Sequence, residues 1–459
     1  MKLEFLSRSG QPRLILFFAG WGMDARPFRG LRRDGYDIAL LYDYRSLHID
    51  WSFTAPYAEI CILAWSMGVF AASVSTHAIA GKITRRVAVA GTLTPVSDTE
   101  GIPRAVFDGT YDNLSDRSLA KFYRRMFDSR EAHGAFAAAR PQRPVDELRA
   151  ELRAIDDAQI FNAGHTGPWN KAYIGRADAI FPPAAQRAAW LRGGTTVTES
   201  DAPHWHDFGA IMRREFVDKS TMAIRFAAAT SSYEANGSVQ AEIVAEMAAR
   251  TAALLGRELD ATTAQVLEIG SGSGSLSRVL RRMAPHAQLT LWDIAAPCPS
   301  GLEDCCRFRR TDAELAIGAL APESVGYIFS ASTIQWFNSP ERFFVQCARA
   351  LVPGGALVVS TFVKRNLEEI SAITGRSLHL PDAAGWLRMA APCFTAAYCR
   401  AWERDLDFET PLDALRHLKL TGVNSLGGSV RDVLRRLPMR LDARYHLTYR
   451  PIIMILIRR

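Results

Sequence analysis

The 459-residue sequence lacks the features that mark several protein classes. Its cysteines are few, seven in all, and none forms a Cys-x-x-Cys pair, so we expect neither a disulfide framework nor a zinc site. No apolar run approaches the roughly 18 residues that a membrane-spanning helix needs. The short run Leu14–Ala19 is broken by Gly20 and Gly22, which is typical of a buried strand and not of a secretory leader. A cytoplasmic protein that holds no metal and enters no membrane is therefore expected.

Nucleic-acid binding is also not expected. The net charge is +7, which would suit an acidic partner, but the positive residues are scattered and no common nucleic-acid-binding signature is present. With 48% hydrophobic and 22% charged residues, the composition is that of a globular enzyme and argues against extensive disorder. The length favours more than one domain.

Short apolar runs alternate with helical patterns in both halves of the chain. In the first half the strand-like runs are 14–19, 38–42, 60–65 and 172–175. The stretch 101–165 is rich in Arg, Ala and Glu and has helical periodicity instead. In the second half a helical pattern at 239–255 precedes strand-like runs at 264–269, 288–292, 325–330 and 356–361. We predict two α/β domains, 1–218 and 219–459, each with a mostly parallel sheet and the first with a helical insertion.

The first chemical signature surrounds Ser66. The segment Ala64–Gly68 ends a strand-like run and opens a helical stretch, which is the context of a nucleophile elbow, with Ala64 where G-x-S-x-G usually has its first glycine. Such a turn presents the Ser66 hydroxyl and directs the Met67 amide at a developing oxyanion. The loop after the first strongly apolar run is expected to provide the second donor, the Trp21 amide.

A serine nucleophile needs a histidine base and an acid that orients the base, in the chain order Ser, Asp, His. Asp178 follows the strand-like run at 172–175, and His204 lies on a late loop. His206 is a rival for the base. Asp201 or Asp207 could replace Asp178 as the acid.

The second signature is the segment Glu268–Gly274. Its glycines, Gly270, Gly272 and Gly274, lie between a strand-like run and a helical pattern. A glycine loop alone is equally compatible with a dinucleotide. Glu268, two positions before the first glycine, indicates S-adenosylmethionine instead, because a carboxylate there can meet the cationic amino-acid part of that cofactor.

Two later acids support the same cofactor. Asp293 ends the second strand-like run of this half, where a carboxylate can accept the ribose hydroxyls. Asp312, with Ala313 beside it, lies where a carboxylate can hold the adenine amino group. The segment Leu351–Gly355 has the Pro-Gly-Gly turn that is typical of class I methyltransferases.

Other segments of the second half go beyond cofactor binding. They are Arg225–Ala229, Ser232-Tyr233, Val239-Gln240, Ser330–Trp336 and Leu415–Asn424. Together they resemble BioC, the malonyl-acyl-carrier-protein O-methyltransferase of biotin synthesis, over nearly all of 219–459, although Ala331 stands where that family usually has asparagine. The resemblance implies a class I, Rossmann-like domain that methylates the free carboxylate of a malonyl thioester, with Tyr233, Gln335 and Trp336 as candidates for the acceptor site.

The first half has its own family-like segments. They are Phe17–Asp24, Trp65–Gly68, Lys121–Met126 and Asp201–His204. They resemble BioG, an esterase of the same pathway that cleaves pimeloyl-acyl-carrier-protein methyl ester. The resemblance implies an α/β-hydrolase domain with a helical lid over 101–165 and the triad Ser66, Asp178 and His204. Arginines of this lid are expected to contact the acidic carrier protein: Arg124, Arg125, Arg130, Arg140 and Arg143.

The sequence therefore predicts a bifunctional enzyme of biotin synthesis that makes a methyl ester on malonyl carrier protein and hydrolyses pimeloyl carrier methyl ester. One alternative is a methyltransferase of another small acid fused to an unrelated carboxylesterase. Another makes the first half a hydrolase-like module that docks the carrier without catalysis. A nucleic-acid methyltransferase has only the net charge in its favour.

Overall fold

The computed structural model describes residues 1–161, 167–193, 195–374, 378, 380–421 and 445–459. They divide into two compact units, Met1–Asp218 and Lys219–Arg459. Each unit contains a seven-stranded sheet whose strands are mostly parallel and alternate with helices, so both are mixed α/β. Within the described ranges, no helix has the length and apolarity that crossing a membrane requires.

The sheet of the first unit has the order β1-β3-β2-β4-β5-β6-β7, with β1 antiparallel to β3 and the other pairs parallel. Its strands are β1 (Lys2–Ser7), β2 (Arg13–Phe18), β3 (Asp37–Tyr42), β4 (Glu59–Trp65), β5 (Ile83–Val89), β6 (Lys171–Gly175) and β7 (Thr196–Ser200). Every residue of β2 and β4 is buried, because parallel strands in the middle of a sheet are covered on both faces. The four predicted strand-like runs of this half correspond to β2, β3, β4 and β6.

Seven α-helices accompany this sheet in the described residues. They are α1 (Gly68–Ser75), α2 (Arg104–Asp112), α3 (Asp116–Arg125), α4 (Arg130–Ala138), α5 (Val145–Phe161), α6 (Pro183–Arg192) and α7 (Phe208–Glu215). The helices α2 to α5 lie between β5 and β6, where the helical stretch was predicted. Ser115 and Ser118 form a capping box that starts α3. Tyr123, Phe136 and Leu148 bury this insertion's apolar side against the core of the unit.

The sheet of the second unit has the order β10-β9-β8-β11-β12-β16-β13. Its strands are β8 (Gln265–Ile269), β9 (Gln288–Asp293), β10 (Arg307–Arg310), β11 (Val325–Ser330), β12 (Leu351–Phe362), β13 (Phe394–Ala401) and β16 (Pro451–Arg458). The strands β8 to β12 are parallel, and β16 runs antiparallel between β12 and β13. Chain order reverses between β8 and β11, and ligands of doubly wound sheets bind outside the carboxyl ends of strands at such a point.

The second unit also contains helices and a separate two-stranded sheet. Its helices are α8 (Lys219–Asn236), α9 (Ser238–Ala261), α10 (Ser275–Met283), α11 (Ala313–Ala316), α12 (Pro340–Ala350), α13 (Glu368–Thr374), α14 (Ala383–Ala390) and α15 (Pro411–Leu420). Two further strands, β14 (Arg404–Phe408) and β15 (Tyr445–Tyr449), form an antiparallel pair. The Pro-Gly-Gly turn lies in an irregular first part of β12 and not before the strand: four residues of β12 (352–355) stand opposite one residue of β11, Gly326. Of the family-like segment Leu415–Asn424, residues 422–424 lie outside the described ranges.

Candidate active sites

Ser66 stands at the turn between β4 and α1 with a φ of 58°, a left-handed backbone that is uncommon for a residue with a side chain. Such strain persists only where the surrounding packing enforces it. Gly68, two residues on, is enclosed so tightly that a Cβ there would collide with the carbonyl oxygens of Phe18 and Ala19. The Ser66 amide also donates to the Val89 carbonyl at 2.9 Å. Close packing between neighbouring strands therefore fixes the position of the hydroxyl.

The structure brings Ser66, His204 and Asp178 together. His204 Nε2 lies 3.1 Å from Ser66 Oγ, and His204 Nδ1 lies 2.9 Å from one Asp178 oxygen and 3.0 Å from the other. The Ile180 and Phe181 amides donate to Asp178 Oδ1 at 2.8 and 2.9 Å, while Gln186 Nε2 donates to Oδ2 at 3.0 Å. A carboxylate fixed by so many donors can hold the imidazole in one orientation, with Nε2 free to accept the serine proton.

The alternatives that the sequence left open are placed differently. His206 is buried, and its Nε2 has no hydrogen-bond partner among the described residues. Burial, reinforced by His204, lowers the pKa of His206 to about 4, so it is neutral near pH 7. Asp201 is exposed and pairs with Arg176 at 2.9 Å. Asp207 caps α7 by accepting from the Ala210 amide at 2.8 Å.

A cavity of about 30 Å³ adjoins Ser66. Trp21 and Met67, whose amides are the predicted oxyanion donors, line this cavity together with Ser66. The other lining residues are Ile102, Val106, Phe107, Thr110, Phe122, Arg125, Leu152 and Ile180. Since most of these belong to α2, α3 and α5, the helical insertion forms much of an apolar wall around the hydroxyl.

The loop that carries Trp21 is held by hydrogen bonds that the sequence did not predict. Tyr44 Oη donates to the Ala19 carbonyl at 2.7 Å, and Tyr123 Oη donates to the Gly22 carbonyl at 2.9 Å. The Trp21 indole donates to the Leu148 carbonyl at 2.8 Å. Burial raises the pKa of both phenols, so they remain donors. Tyr123 lies in the family-like segment Lys121–Met126 and Tyr44 in none of these segments, and only the tertiary contact shows what each tyrosine does.

The arginines of the insertion fall into two groups. Arg143 is buried, with its side chain 5% exposed, and pairs with Asp43 at 2.9 Å and Glu151 at 2.6 Å. The expectation that Arg143 contacts a carrier is therefore wrong, because two buried carboxylates already occupy its guanidinium. The other members of the predicted set are exposed: Arg124, Arg125, Arg130 and Arg140.

The second unit has a cavity of about 520 Å³ at the carboxyl ends of its central strands. Six of the seven residues predicted to bind the cofactor line it: Glu268, Gly270, Gly272, Asp293, Asp312 and Ala313. The seventh, Gly274, is not on the wall; it caps α10 with a φ of 89°. Gly270 has a φ of 76° and lies so close to Thr333 that a Cβ there would collide with the threonine hydroxyl. The glycine loop is thus packed directly against the loop that follows β11.

The acids on this wall differ in their partners. Asp293 accepts from the Gly272 amide at 2.9 Å and from the amides of Ala295 and Ala296 at 2.7 Å each, so its carboxylate shapes the glycine loop. Asp312 forms an ion pair at 2.9 Å with Lys219, which is almost fully buried. Sequence reasoning missed Lys219, because a single lysine 93 residues before its partner belongs to no motif.

Two of the three candidates for the acceptor site line the same cavity. They are Tyr233, whose pKa burial raises to about 12, and Trp336, whose ring contacts Phe226 edge to face at 5.6 Å. Gln335 is not on the wall. Its amide nitrogen donates to the Ser332 carbonyl at 2.7 Å, and its oxygen accepts from Thr361 Oγ1 at 3.1 Å.

Comparisons with known proteins identify both halves. Residues 1–212 match the family described as pimeloyl-ACP methyl esterase BioG, and residues 267–359 match a methyltransferase domain. The chain is 36% identical over 419 residues to the malonyl-[acyl-carrier protein] O-methyltransferase of Bacteroides fragilis, an alignment that covers 89% of this chain and 84% of that protein. The chain belongs to this methyltransferase family.

Two further relatives each correspond to one half. The malonyl-[acyl-carrier protein] O-methyltransferase of Haemophilus influenzae is 32% identical over 253 residues, 52% of this chain and 94% of that protein. The crystal structure of BioG from Haemophilus influenzae is 32% identical, covers 44% of this chain and 94% of that chain, and has a TM-score of 0.41. The two family matches and the relative from Bacteroides fragilis show that the chain is a fusion of a BioG-type half with a methyltransferase half of biotin biosynthesis, and its cofactor is S-adenosylmethionine.

The cavity of the second unit fits this cofactor. The Glu268 side chain is buried on its wall, and Oε2 has no hydrogen-bond partner within the described ranges. Burial raises the pKa of Glu268 to about 8, a shift that a nearby cation would reverse. An unpartnered buried acceptor beside a glycine loop suits the ammonium group of the amino-acid part. No cluster of potential metal ligands is present in the described part of the chain.

Proposed function

We propose that this chain is a bifunctional enzyme of biotin synthesis. The unit 219–459 methylates the free carboxylate of malonyl carrier protein, and the unit 1–218 hydrolyses pimeloyl carrier methyl ester to the free acid. The observation that carries the proposal is the placement of Ser66, His204 and Asp178 within hydrogen-bond distance at a strained turn, in a chain whose other half belongs to the methyltransferase family.

The first unit is proposed to be an α/β-hydrolase with a helical lid. Support comes from the parallel sheet with its serine at a sharp turn between strand and helix, and from the acid and the histidine following in that chain order. The helices α2 to α5 form an insertion whose side chains line the cavity beside Ser66, as a lid does.

In the proposed hydrolysis, His204 takes the Ser66 proton as the hydroxyl oxygen attacks the ester carbonyl. The amides of Trp21 and Met67 donate to the oxyanion that forms. His204 then gives its proton to the departing methanol, which leaves the acyl group on Ser66. Water, deprotonated by the same imidazole, releases the acid, while Asp178 keeps the ring in the productive tautomer.

For the proposed methylation, Glu268 would hold the amino group of the cofactor, Asp293 the ribose, and Asp312 with Ala313 the adenine. The bound cofactor supplies an electrophilic methyl group on its sulfonium. Because a malonyl carboxylate is ionised at neutral pH, the protein needs no general base and contributes by alignment and by excluding water.

The partner is proposed to be an acyl carrier protein in the cytoplasm, and neither a nucleic acid nor a membrane. The exposed arginines of the insertion provide charge complementary to an acidic carrier, and Arg125 lines the Ser66 cavity itself. Methylating the malonyl carboxylate has a physical reason. Burying a free carboxylate in the apolar channel of a chain-elongating enzyme is costly, and the methyl ester removes that charge.

The deciding experiment uses the full chain and carrier-bound methyl pimelate, with release of the free acid as readout. Ser66→Ala should lower hydrolysis by about 10³-fold or more, since it removes the nucleophile. Ser75→Ala removes a hydroxyl at the other end of α1 that donates to the Ala71 carbonyl, and it should hydrolyse the ester normally. Labelled methyl transfer to malonyl carrier tests the other half in the same preparations. A wild-type chain that does not hydrolyse the ester would contradict the esterase and favour a docking module.

A further inference from the structure

The loop Ala331–Trp336, which follows the last residue of β11, Ser330, forms part of the cofactor cavity. Because β11 pairs with β8, the loops that follow these two strands meet at the same edge of the sheet. Ser330 Oγ donates to the Ile269 carbonyl at 3.1 Å, and Thr333 packs against Gly270. The loop therefore lies directly beside the residues proposed to hold the amino-acid part of the cofactor.

Two hydrogen-bond donors of this loop are buried without a partner in the part of the chain that the structure describes. They are Ser332 Oγ and the Trp336 indole nitrogen, and both residues line the cavity. Trp336 is only 6% exposed. An unsatisfied buried donor is costly, so two from one short loop on the wall of one cavity indicate a ligand that accepts hydrogen bonds. A third such donor on this wall, Ser271 Oγ, belongs to the glycine loop and hence to the cofactor's part of the cavity.

The backbone beneath these donors is held in an unusual shape. Ser332 has a φ of 50°, in the left-handed region that residues with side chains seldom adopt. Its carbonyl accepts from Gln335 Nε2 at 2.7 Å, and its amide donates to the carbonyl and to the hydroxyl of Ser360, both at 3.1 Å. Thr361 in turn donates to the Gln335 oxygen. Gln335 is thus a positioning residue that keeps Ser332 turned.

The chemistry of the wall selects the ligand. The cations that line the cavity are Lys219, which pairs with Asp312 and Glu314, Arg278, which pairs with Glu234, and the exposed Arg282, and none of them belongs to the loop after β11. Ser332 and Trp336 instead offer neutral donors, which bind an ionised acceptor more strongly than a neutral one. Neutral donors can orient a carboxylate without cancelling the charge that makes it nucleophilic. They also bind the ester product more weakly than the acid, which favours release.

We infer that Ser332 Oγ and Trp336 Nε1 hold the carboxylate that accepts the methyl group. The inference rests on the proposed malonyl methylation and names the residues that recognise its substrate. It separates the roles of the family-like segment: Trp336 contacts the acceptor, while Gln335 acts through Ser332.

The test measures binding by calorimetry to the full chain loaded with S-adenosylhomocysteine, with malonyl-pantetheine and acetyl-pantetheine thioesters as probes. The malonyl thioester should bind at least about tenfold more tightly than the acetyl thioester, because only the first has a carboxylate. Ser332→Ala and Trp336→Phe should each weaken malonyl binding about tenfold and leave acetyl and S-adenosylhomocysteine binding within twofold. Gln335→Met should lower the malonyl-to-acetyl affinity ratio, whereas a purely structural role would lower both affinities together.

Two control variants match these changes. Trp386→Phe removes a buried indole donor to the Phe362 carbonyl, and Ser324→Ala removes a hydroxyl donor to the Ala321 carbonyl; neither residue lines the cavity. Both should bind the malonyl thioester like the wild type. Equal affinity of the wild-type complex for both thioesters, or unchanged malonyl binding in Ser332→Ala and Trp336→Phe, would overturn the inference. Specific malonyl binding without methyl transfer by the complete enzyme would instead contradict the proposed function and leave the carboxylate site standing.

Discussion

Replacing Asp178 by asparagine tests the esterase proposal at a residue whose contacts are fully defined. The carboxylate accepts from the amides of Ile180 and Phe181 at Oδ1, from Gln186 Nε2 at Oδ2, and from His204 Nδ1. An asparagine has only one acceptor oxygen. If that oxygen keeps the two backbone amides, the side-chain NH₂ takes the place of Oδ2, where it faces Gln186 and lies nearest to His204 Nδ1, at 2.9 Å against 3.0 Å for the oxygen.

The expected magnitude follows from this reversal of donor and acceptor. An asparagine NH₂ donates to His204 Nδ1, so the ring proton moves to Nε2 and points at Ser66 Oγ, 3.1 Å away. An imidazole in that tautomer cannot accept the serine proton. The same change in a protease triad lowers kcat by about 10⁴, equivalent to about 5.5 kcal/mol of lost transition-state stabilisation. We expect a loss of about 10³ to 10⁴, together with about 1 to 3 kcal/mol of stability from the donor facing Gln186.

Hydrolysis of carrier-bound methyl pimelate and of a small methyl ester should fall alike in Asp178→Asn, because the defect lies in the chemistry and not in binding. Asp201→Asn is the matched control: it changes an aspartate in the same region that is 89% exposed and pairs with Arg176, and its activity should stay within twofold. Methyl transfer by the other unit serves as an internal check on the preparation. A loss below tenfold in a folded Asp178→Asn protein would refute the assignment of Asp178.

Three other changes address the remaining parts of the two sites. Arg124→Glu should lower kcat/KM for the carrier ester about threefold to tenfold at low salt and spare a small ester, since an exposed charge acts on the carrier encounter; equal losses would count against docking here. Tyr123→Phe removes the hydrogen bond to the Gly22 carbonyl, so esterase kcat should fall several-fold and urea unfolding should show about 1 kcal/mol less stability. An unchanged kcat would show that this hydrogen bond does not affect oxyanion binding. Because the pKa of Glu268 is raised to about 8, cofactor binding should release a proton from this side chain, and the affinity should increase from about pH 5 to pH 7. Calorimetry in buffers of different ionisation enthalpy measures the number of protons released. Glu268→Gln should abolish both the proton release and the pH dependence.

The sequence predicted several elements whose signal is local, although the apolar run of β16 was not among them. The strands β2, β4, β8 and β11 are apolar runs because both faces of a central parallel strand are covered. The strand β5 was missed because Arg85 and Arg86 interrupt its apolar pattern, and β7 was missed because its Thr196–Ser200 segment is largely polar at the edge of the sheet. Pairing with a neighbouring strand decides such cases, and pairing is a tertiary property.

The same distinction applies to the sites. Ser66 and the glycine loop could be predicted because a strained turn and a close backbone approach each require particular residues at fixed spacing. Lys219 could not, since its partner Asp312 comes from a distant part of the chain. Nor could the sequence distinguish the role of Gln335 from that of Trp336. Neighbouring residues of one short turn take opposite directions there, one into the hydrogen bonds of the loop and the other onto the cavity wall.

Under the proposed function, the apolar wall beside Ser66 gives a reason why the methyl ester would outlast chain elongation. Val106 lines the Ser66 cavity and is itself 47% exposed, so the apolar surface continues from the hydroxyl to the outside, where a carrier would dock. A pimeloyl chain has four more methylenes than a malonyl chain, and each one laid on such a surface contributes up to about 0.8 kcal/mol. The sum of about 3 kcal/mol corresponds to a preference of about 10² in kcat/KM for carrier-bound methyl pimelate over methyl malonate. Val106→Asp should reduce that preference more than Val345→Asp, which changes an exposed valine of the other unit. Equal kcat/KM values of the wild type for both esters would show that this wall does not set the order of the two reactions.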